Sequence, residues 1–278
     1  MWINGSRGEL DCDQSVNPTW TGIVPRKKSC PACVVGATAL QGGLSLPGLD
    51  SLSRNGHHKR FESRRLIVVA ELGEDWVAIV LSGVVKLTRS LPDGRQQTVA
   101  LLFASDFLGR PFKAGKAYAA ESATVVELCC FSRRQFEELL HRQADLKQLF
   151  LERTLDQLDA AHECMLLLGR KTAQEKVATL ILQILRRFQA TEGTRGVLPS
   201  GTKFKLPLSR AEMADYLGLR IETVSRQFQV LRTAGVLDTA RDRTVTVKDT
   251  RALELHSGEW ELPDRILRRT APMTGHPP

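Results

Sequence analysis

Short apolar runs separated by turn residues fill the chain between residues 60 and 131. The runs are Trp76–Leu81, Val84–Leu91, Gln97–Phe103, Phe107–Gly109 and Ala123–Phe131. Ser82-Gly83 divides the first two runs, and Pro92-Asp93-Gly94-Arg95 supplies a hairpin turn between the second and the third. Several short strands at this spacing predict an antiparallel β-sandwich or a jelly-roll barrel.

The pattern becomes helical over residues 133–169. Apolar residues recur there every seven positions, at Leu151, Leu158 and Met165. Three further residues fall near the intermediate positions: Leu155, His162 and Leu168. This repeat predicts the seam of a coiled coil. The alternative is a helix that packs only on the strands that precede it.

Residues 206–235 predict two short helices joined by a tight turn. Ser209 stands three residues before Glu212, which is the spacing of a capping box at a helix start. Leu217-Gly218-Leu219 then provides the connection of a helix-turn-helix unit. On the second helix, apolar residues at spacings of four and three predict the buried face: Val224, Phe228 and Leu231. Gly235 is expected to end that helix as a left-handed cap.

The polar face of the second helix has the chemistry of a DNA-reading surface. Glu222, Ser225 and Arg226 lie near its N-terminal end, the part that such units insert into the major groove. Arginine can donate two hydrogen bonds to guanine, glutamate can accept one from cytosine, and serine can serve several bases. The alternative is a solvated face with a Glu222–Arg226 ion pair. Arg220 stands where Ser or Thr normally caps the helix, so a side-chain cap is not expected there.

A basic wing is predicted beyond this unit. Val236–Leu237 and Thr244–Val247 are expected to pair as two strands, with Arg241 and Arg243 at the tip, where they can contact phosphate. The 278 residues carry 39 Lys and Arg against 31 Asp and Glu, a net charge of +8. This excess favours a polyanionic partner such as double-stranded DNA.

An amphipathic helix is predicted before the unit, over residues 172–187. Its inward-facing residues are expected to be Val177, Leu180, Ile181, Ile184 and Leu185. A polar connection follows at residues 189–202, and no motif is recognisable from about residue 256 onward.

The chain carries no sign of a membrane or secretory segment. No apolar run approaches the roughly 18 residues that a spanning helix needs. The N-terminus, MWINGSRGELDCDQ, has acidic residues and no apolar segment, unlike a signal peptide. A cytoplasmic protein without membrane contact is therefore expected. Because no nucleophile–base set or phosphate loop is present in the sequence, an enzyme is not expected.

Six cysteines are present, at Cys12, Cys30, Cys33, Cys129, Cys130 and Cys164. They are too few for a disulfide framework in a chain of this length, and a Cys-x-x-Cys pair in a reducing compartment indicates metal or redox chemistry. The pair Cys30-Pro31-Ala32-Cys33 leaves iron–sulfur, zinc, thiol-redox and chance explanations open. Residues 1–50 otherwise show no periodicity and are expected to be loop-like.

Several motifs resemble the CRP/FNR family of bacterial transcription regulators. The segment Glu222–Arg226 (ETVSR) matches the FNR subgroup, and GVVKL, DGRQQ and DFLGRPF follow in the order of an FNR-type sensor domain. The resemblance implies an α+β fold with an N-terminal jelly-roll (cyclic-nucleotide-binding-like) sensor domain, a long dimerisation helix and a C-terminal winged helix-turn-helix domain. It also implies a parallel homodimer that binds a TTGAT-type palindrome and contacts RNA polymerase.

The expected domain organisation follows from these motifs. A cysteine-bearing segment occupies residues 1–50, the sensor domain 51–132 and the dimerisation helix 133–169. The DNA-binding domain occupies residues 170–255, and a tail completes the chain at 256–278.

The resemblance also implies a [4Fe-4S] cluster. Cys129 falls on the family's internal cluster-ligating cysteine, whereas Cys130 must face the other side of an extended strand. The implied ligand set is Cys12, Cys30, Cys33 and Cys129. The chain departs from the family because residues 34–43 lack the usual further cysteine, so Cys12 is its replacement in this set. A non-cysteine ligand (Asp11, Asp13 or His57) and a site without a cluster stay open.

Cyclic nucleotide is not expected as an effector. The nucleotide-binding members of the family carry a Gly-Glu pair and an Arg-Ser or Arg-Thr pair after the corresponding strand. This chain has Gly109-Arg110-Pro111-Phe112 followed by KAGKAYAA, with neither pair in place.

The resemblance implies an oxygen-responsive transcription regulator. One alternative is a regulator of the same family without a cluster, controlled by thiol oxidation or by abundance. A second alternative is an iron–sulfur electron carrier or a zinc protein whose helical domain binds another protein.

Overall fold

The computed structural model describes residues 46–67, 76–113, 118–191 and 199–258. The N-terminal elements are α1 (Leu46–Asn55), β1 (His57–Phe61), β2 (Leu66–Ile67), β3 (Trp76–Ser82), β4 (Val85–Ser90), β5 (Gln96–Leu102), β6 (Phe107–Leu108), β7 (Ala119–Ser122) and β8 (Val126–Ser132). Helices α2 (Arg133–Arg142) and α3 (Ala144–Arg170) follow. The C-terminal elements are α4 (Ala173–Thr191), β9 (Thr202–Lys205), α5 (Arg210–Leu217), α6 (Ile221–Thr233), β10 (Leu237–Thr239), β11 (Thr244–Val247) and α7 (Thr250–Ser257).

Two antiparallel sheets form the sensor domain, in the strand orders β1-β8-β3-β6 and β2-β7-β4-β5. The central strand β3 is buried on both faces, because its side chains alternate between two cores. Val77 and Ile79 belong to a core outside the first sheet, whereas Ala78 and Val80 belong to the core between the sheets. The α+β fold with a sandwich-type sensor domain is confirmed.

The outer face of the first sheet is covered by α1, α2 and the beginning of α3. Ser132 starts α2 as its N-cap, since its Oγ accepts a hydrogen bond from the backbone N–H of Gln135. Aromatic rings join the layers: the ring centroids of Phe107 and Phe150 lie 5.0 Å apart in an edge-on arrangement, and Phe136 packs 5.7 Å from Phe107. We call the buried side chains of this layer the outer core: Leu52, Val77, Ile79, Phe107, Cys129, Phe131, Phe136, Leu139, Leu140, Leu146 and Leu149, with Phe150 against them.

Helix α1 corrects the expectation of a loop-like segment through residue 50. It is short, so it offers little periodicity to detect, and Pro47 lies in its first turn, where a missing backbone N–H costs nothing. Leu52 inserts into the outer core. The backbone N–H of Gly56 donates to the carbonyl of Leu52 and closes the helix.

The helical region after residue 132 is two helices rather than one. Gln143 is extended (φ −116°, ψ 102°) and separates α2 from α3. Its side-chain amide donates to the Oγ of Ser51 at 3.2 Å, which ties the break to α1. The second helix ends at Arg170, one residue beyond the predicted range of 133–169.

The C-terminal domain packs four helices on a small antiparallel sheet of strand order β10-β11-β9. The predicted inward face of α4 is confirmed, since its five apolar residues are all buried: Val177, Leu180, Ile181, Ile184 and Leu185. The wing has a third strand, β9 (Thr202–Lys205), which begins where the predicted polar connection ends and was not expected from the sequence. Val245 pairs with Phe204 across β11 and β9. Over the described ranges, no helix is both long and apolar enough to cross a membrane.

Candidate DNA-reading surface and sensor cysteine

Helix α5 begins with the predicted capping box. The Oγ of Ser209 accepts from the backbone N–H of Glu212, and Glu212 Oε2 accepts from the backbone N–H of Ser209 at 2.7 Å. The helix ends at Gly218, which has φ 61°, a left-handed conformation that glycine adopts without strain. The helix-turn-helix connection is confirmed.

Helix α6 presents the faces that its sequence predicts. Val224, Phe228 and Leu231 are buried. Arg220 precedes the helix without a side-chain capping bond, as expected. Gly235 follows it with φ 73°.

Glu222, Ser225 and Arg226 are exposed together on the first turns of α6. Their exposure leaves a carboxylate, a hydroxyl and a guanidinium available on one side of a helix of 13 residues. These groups match the donors and acceptors of base edges in the major groove. Their assignment to base contacts stays a prediction.

Arg210 joins the two helices of this unit, and the sequence reasoning did not single it out. Its guanidinium carbon lies 3.0 Å from the centroid of the Phe228 ring. Burial lowers the pKa of Arg210 to about 10, so the group keeps its charge at neutral pH. A cation over an aromatic face is attractive, and here it holds α5 against α6.

The wing carries its arginines at the tip. Arg241 and Arg243 are exposed between β10 and β11. Arg243 has φ 72°, and its carbonyl accepts from the backbone N–H of Leu206. Asp242 braces the turn, because its carboxylate accepts from both the backbone N–H and the hydroxyl of Thr244. The phosphate contacts of both arginines stay predictions.

Helix α3 exposes the predicted leucine seam. Leu151, Leu158 and Met165 have exposed fractions of 58%, 50% and 63%. Cys164 and Leu167 are buried against the chain's own domains. One face of the helix therefore packs on its own subunit, and another, apolar face is exposed to solvent in the single subunit.

Cys129 and Cys130 point to opposite sides of β8, as strand alternation predicts. Cys129 belongs to the outer core, and Cys130 lies between the two sheets. The backbone of Gly56 lies so close to the Sγ of Cys129 that a Cβ there would collide with the sulfur. This contact was not predicted from the sequence, because no local pattern marks Gly56 as a neighbour of Cys129.

The other three implied cluster ligands, Cys12, Cys30 and Cys33, lie outside the described residues. Among the residues that are described, no group of three or more His, Cys, Asp and Glu side chains is placed to hold a metal ion. His57 and His58 pair with Cys130 and Cys129 across β1 and β8. Only Cys129, of the four implied ligands, therefore has a described position.

Comparison with known proteins agrees with this architecture. The Crp-like helix-turn-helix domain family matches residues 175–255, and the cyclic nucleotide-binding domain family matches residues 59–143. The transcriptional activator protein FnrL of Cereibacter sphaeroides is 40% identical over 230 residues, covering 83% of this chain and 92% of FnrL. The nitrogen fixation regulation protein FixK of Bradyrhizobium diazoefficiens is 32% identical over 222 residues, covering 80% of this chain and 91% of FixK.

A solved structure extends the likeness to three dimensions. FixK2 from Bradyrhizobium japonicum superimposes with a TM-score of 0.63 at 29% identity, covering 74% of this chain and 98% of FixK2. These relatives are regulators rather than enzymes. With a cyclic-nucleotide-binding-type domain, a long helix and a helix-turn-helix domain in the same order, the chain belongs to the CRP/FNR family of DNA-binding transcription regulators.

Proposed function

We propose that the protein is an oxygen-responsive transcription regulator whose homodimer binds a TTGAT-type palindrome and holds one [4Fe-4S] cluster per subunit. The proposed ligands are Cys12, Cys30, Cys33 and Cys129. One observation carries the proposal: Cys129 lies against Gly56, directly after the C-terminal end of α1, the helix that follows the cysteine-bearing segment in the sequence.

The chemistry and the reach of the chain fit this site. Thiolates are the usual ligands of iron–sulfur clusters. The segment from Cys33 to Leu46 can extend to about 45 Å, whereas α1 is only about 15 Å long. The Cys30–Cys33 pair can therefore reach Cys129 from the far end of α1. Cys12 can loop back at an entropic cost that grows slowly with loop length.

When bound, the cluster would supply an oxygen-labile link between the N-terminal segment and β8. The chain's own residues connect that link to the dimer helix. Leu52 of α1 and Phe131 of β8 share the outer core with Leu146 and Leu149 of α3. Because such cores are close-packed, a shift in the position of α1 displaces side chains that also contact α3. Such a shift can therefore favour one arrangement of α3 over another.

The homodimer is supported by the open apolar face of α3. Leu151, Leu158 and Met165 are each at least half exposed, at the heptad positions that pair in coiled coils. A two-fold dimer would present two copies of α6 to the two halves of a palindrome.

We further propose that cyclic nucleotide is not the effector. Within the described residues, the core between the sheets is built from apolar side chains and the thiol of Cys130, without a charged side chain among them. The loop after β6 carries an exposed Arg110 and Lys113 instead of the family's nucleotide-binding pairs. Action through RNA polymerase is proposed because the relatives FnrL and FixK are named as regulators of transcription and nitrogen fixation.

Purification under argon tests the cluster. A brown protein with about four iron and four sulfide per subunit is expected, and it should lose TTGAT binding in air. Cys129→Ala should remove the iron. Cys130→Ala is the matched control, since it removes a neighbouring buried thiol that faces the other core. Equal iron loss in both variants, or a colourless protein that binds DNA equally in air, would contradict the proposal.

A regulator without a cluster is the second candidate. The absence of a cysteine from residues 34–43 favours it, because the family's usual spacing is incomplete. In that case thiol oxidation or protein abundance would control DNA binding. Iron-free protein that binds TTGAT sites and responds to diamide but not to brief air exposure would support this candidate.

A further inference from the structure

A buried lysine of the sensor domain reaches the helix-turn-helix unit of the same chain. Lys86 lies on β4, and only 8% of its side chain is exposed. Its Nζ lies 2.6 Å from Glu212 Oε1 on α5 and 3.1 Å from Glu121 Oε1 on β7. Because Lys86 and Glu121 are cross-strand partners, the sheet itself holds the ammonium in place.

Glu212 has two tasks at once. One carboxylate oxygen accepts the capping-box bond from the backbone of Ser209, and the other accepts from Lys86. Burial raises the pKa of Glu212, but the bonds from Lys86 and Ser209 outweigh it and leave that pKa below its ordinary value. The same group therefore starts α5 and attaches it to the sensor domain.

The other end of α5 is attached as well. The side-chain amide of Gln97 on β5 donates to the carbonyl oxygen of Tyr216 at 2.9 Å. Apolar contact continues around both bonds, since three sensor-domain residues belong to the core of the C-terminal domain: Val84, Phe103 and Ala123. Helix α5 is thus held on the sheet at its first and last turns, a contact that we call the α5 clasp.

We propose that Lys86 and Gln97 are positioning residues for DNA reading, which fix the orientation of α6 and so set the spacing between half-sites that the dimer accepts. This inference rests on the proposed binding of a TTGAT palindrome, but not on the cluster. The clasp leaves the base-reading residues exposed, so it is compatible with bound DNA. Arg210 transmits the position of α5 to α6 through the Phe228 ring.

The clasp is expected to affect DNA binding because ordering two flexible helix-turn-helix units on one duplex costs free energy. A dimer reads two half-sites about one helical turn apart. If each helix-turn-helix unit is already oriented on its sensor domain, little freedom is lost on binding, whereas a loose unit must be ordered at that moment. A loose unit also tolerates several spacings, because it can rotate to meet either half-site.

Binding to a set of palindromes tests the clasp. The gap between the two TTGAT half-sites is varied by single base pairs, and affinity is measured under argon for wild type, Lys86→Met and Lys86→Arg. We expect Lys86→Met to weaken binding at the best gap by about tenfold and to flatten the dependence on gap length. Lys86→Arg should restore most of the wild-type preference, because it keeps a cation and its hydrogen bonds.

Arg89→Met is the matched control, since Arg89 lies exposed on the same strand and its loss also removes one positive charge. It should keep the wild-type gap preference. Binding to DNA with a single half-site reports on folding, and Lys86→Met should match Arg89→Met there. An unchanged gap preference in Lys86→Met, or tighter binding at the best gap, would overturn the proposal.

A double-mutant cycle tests the contact itself. Glu212→Gln removes the charge but keeps the capping box, in which Gln serves as well as Glu. Its effect on affinity at the best gap should be non-additive with that of Lys86→Met, because the two side chains form one contact. Asp215→Asn, at an exposed position of the same helix, is the control, and its effect should simply add to that of Lys86→Met. Additivity of Lys86→Met with Glu212→Gln would refute the clasp. Iron content tests the cluster separately, so either proposal can fail alone.

Discussion

Gly56 lies directly against the Sγ of Cys129, with the Phe131 ring beside it. The contact joins the end of α1 to the central strand β8. A Cβ at residue 56 would collide with that sulfur, so the position requires a residue without a side chain. Cys129, the proposed cluster ligand, is therefore covered by the residue that follows α1.

Gly56→Ala is expected to destabilise the folded protein by about 1–3 kcal/mol, because the added methyl group overpacks the outer core. The midpoint of urea unfolding measures the effect. Gly169→Ala is the matched control: a Cβ there meets nothing within 4 Å, and alanine in a helix should stabilise by about 0.5–1 kcal/mol. A Gly56→Ala protein as stable as wild type would show that α1 does not pack on the thiol.

Arg226→Ala and Arg241→Ala should weaken DNA binding in different ways. Loss of a base contact by Arg226 should cost about 1–3 kcal/mol of discrimination at one base pair and relax specificity there. Loss of a phosphate contact by Arg241 should weaken all sequences alike and reduce the slope of log affinity against log salt by about 1. Titrations of single-base variants of the palindrome at two salt concentrations distinguish the two patterns. Equal behaviour of the two variants would contradict the assignment of α6 as the base-reading helix.

Leu158→Asp should dissociate the dimer. Half of this side chain is exposed in the single subunit, so the charge is tolerated in the monomer but repels its counterpart across a two-fold seam. Sedimentation velocity should show a monomer, and affinity for the full palindrome should fall at least a hundredfold, because the two half-sites are then bound independently. Glu152→Gln, at an exposed position of the same helix, should stay dimeric. A dimeric Leu158→Asp protein would place the interface elsewhere.

Glu212→Gln should alter the acid sensitivity of the fold. The pKa of Glu212 is below its ordinary value of 4.5 in the folded protein, so its charge stabilises the fold above that value and the contribution is lost as pH falls through the folded pKa. At pH 7 the variant should be less stable by about 1–3 kcal/mol, since Lys86 loses a charged partner while it stays buried. The difference should shrink as the pH falls below 4.5 and through the folded pKa. Urea unfolding at both pH values measures it, and a constant difference would show that the Lys86–Glu212 pair is not the source.

Much of the fold could be predicted from the local periodicity of the sequence. The alternation of β3 and β8, the heptad stripe of α3 and the apolar face of α6 were all predictable, because strand and helix periods act over a few residues. The capping box at Ser209 and the left-handed conformation of Gly235 were predictable for the same reason. The short elements α1, β7 and β9 were not, since their residues become ordered only when they pack on a neighbouring sheet or core.

The sequence by itself therefore determined the family, the order of the domains and the exposed residues of the recognition helix. Tertiary structure decided which distant residues meet. Lys86 places a charge in the apolar run VVKL, which no local pattern explains. The folded structure explains it, because a carboxylate 126 positions away pairs with that charge. Gly56 and Cys129 also meet from distant parts of the chain. Such contacts depend on how whole elements pack, and no local pattern of hydrophobic and polar residues encodes them.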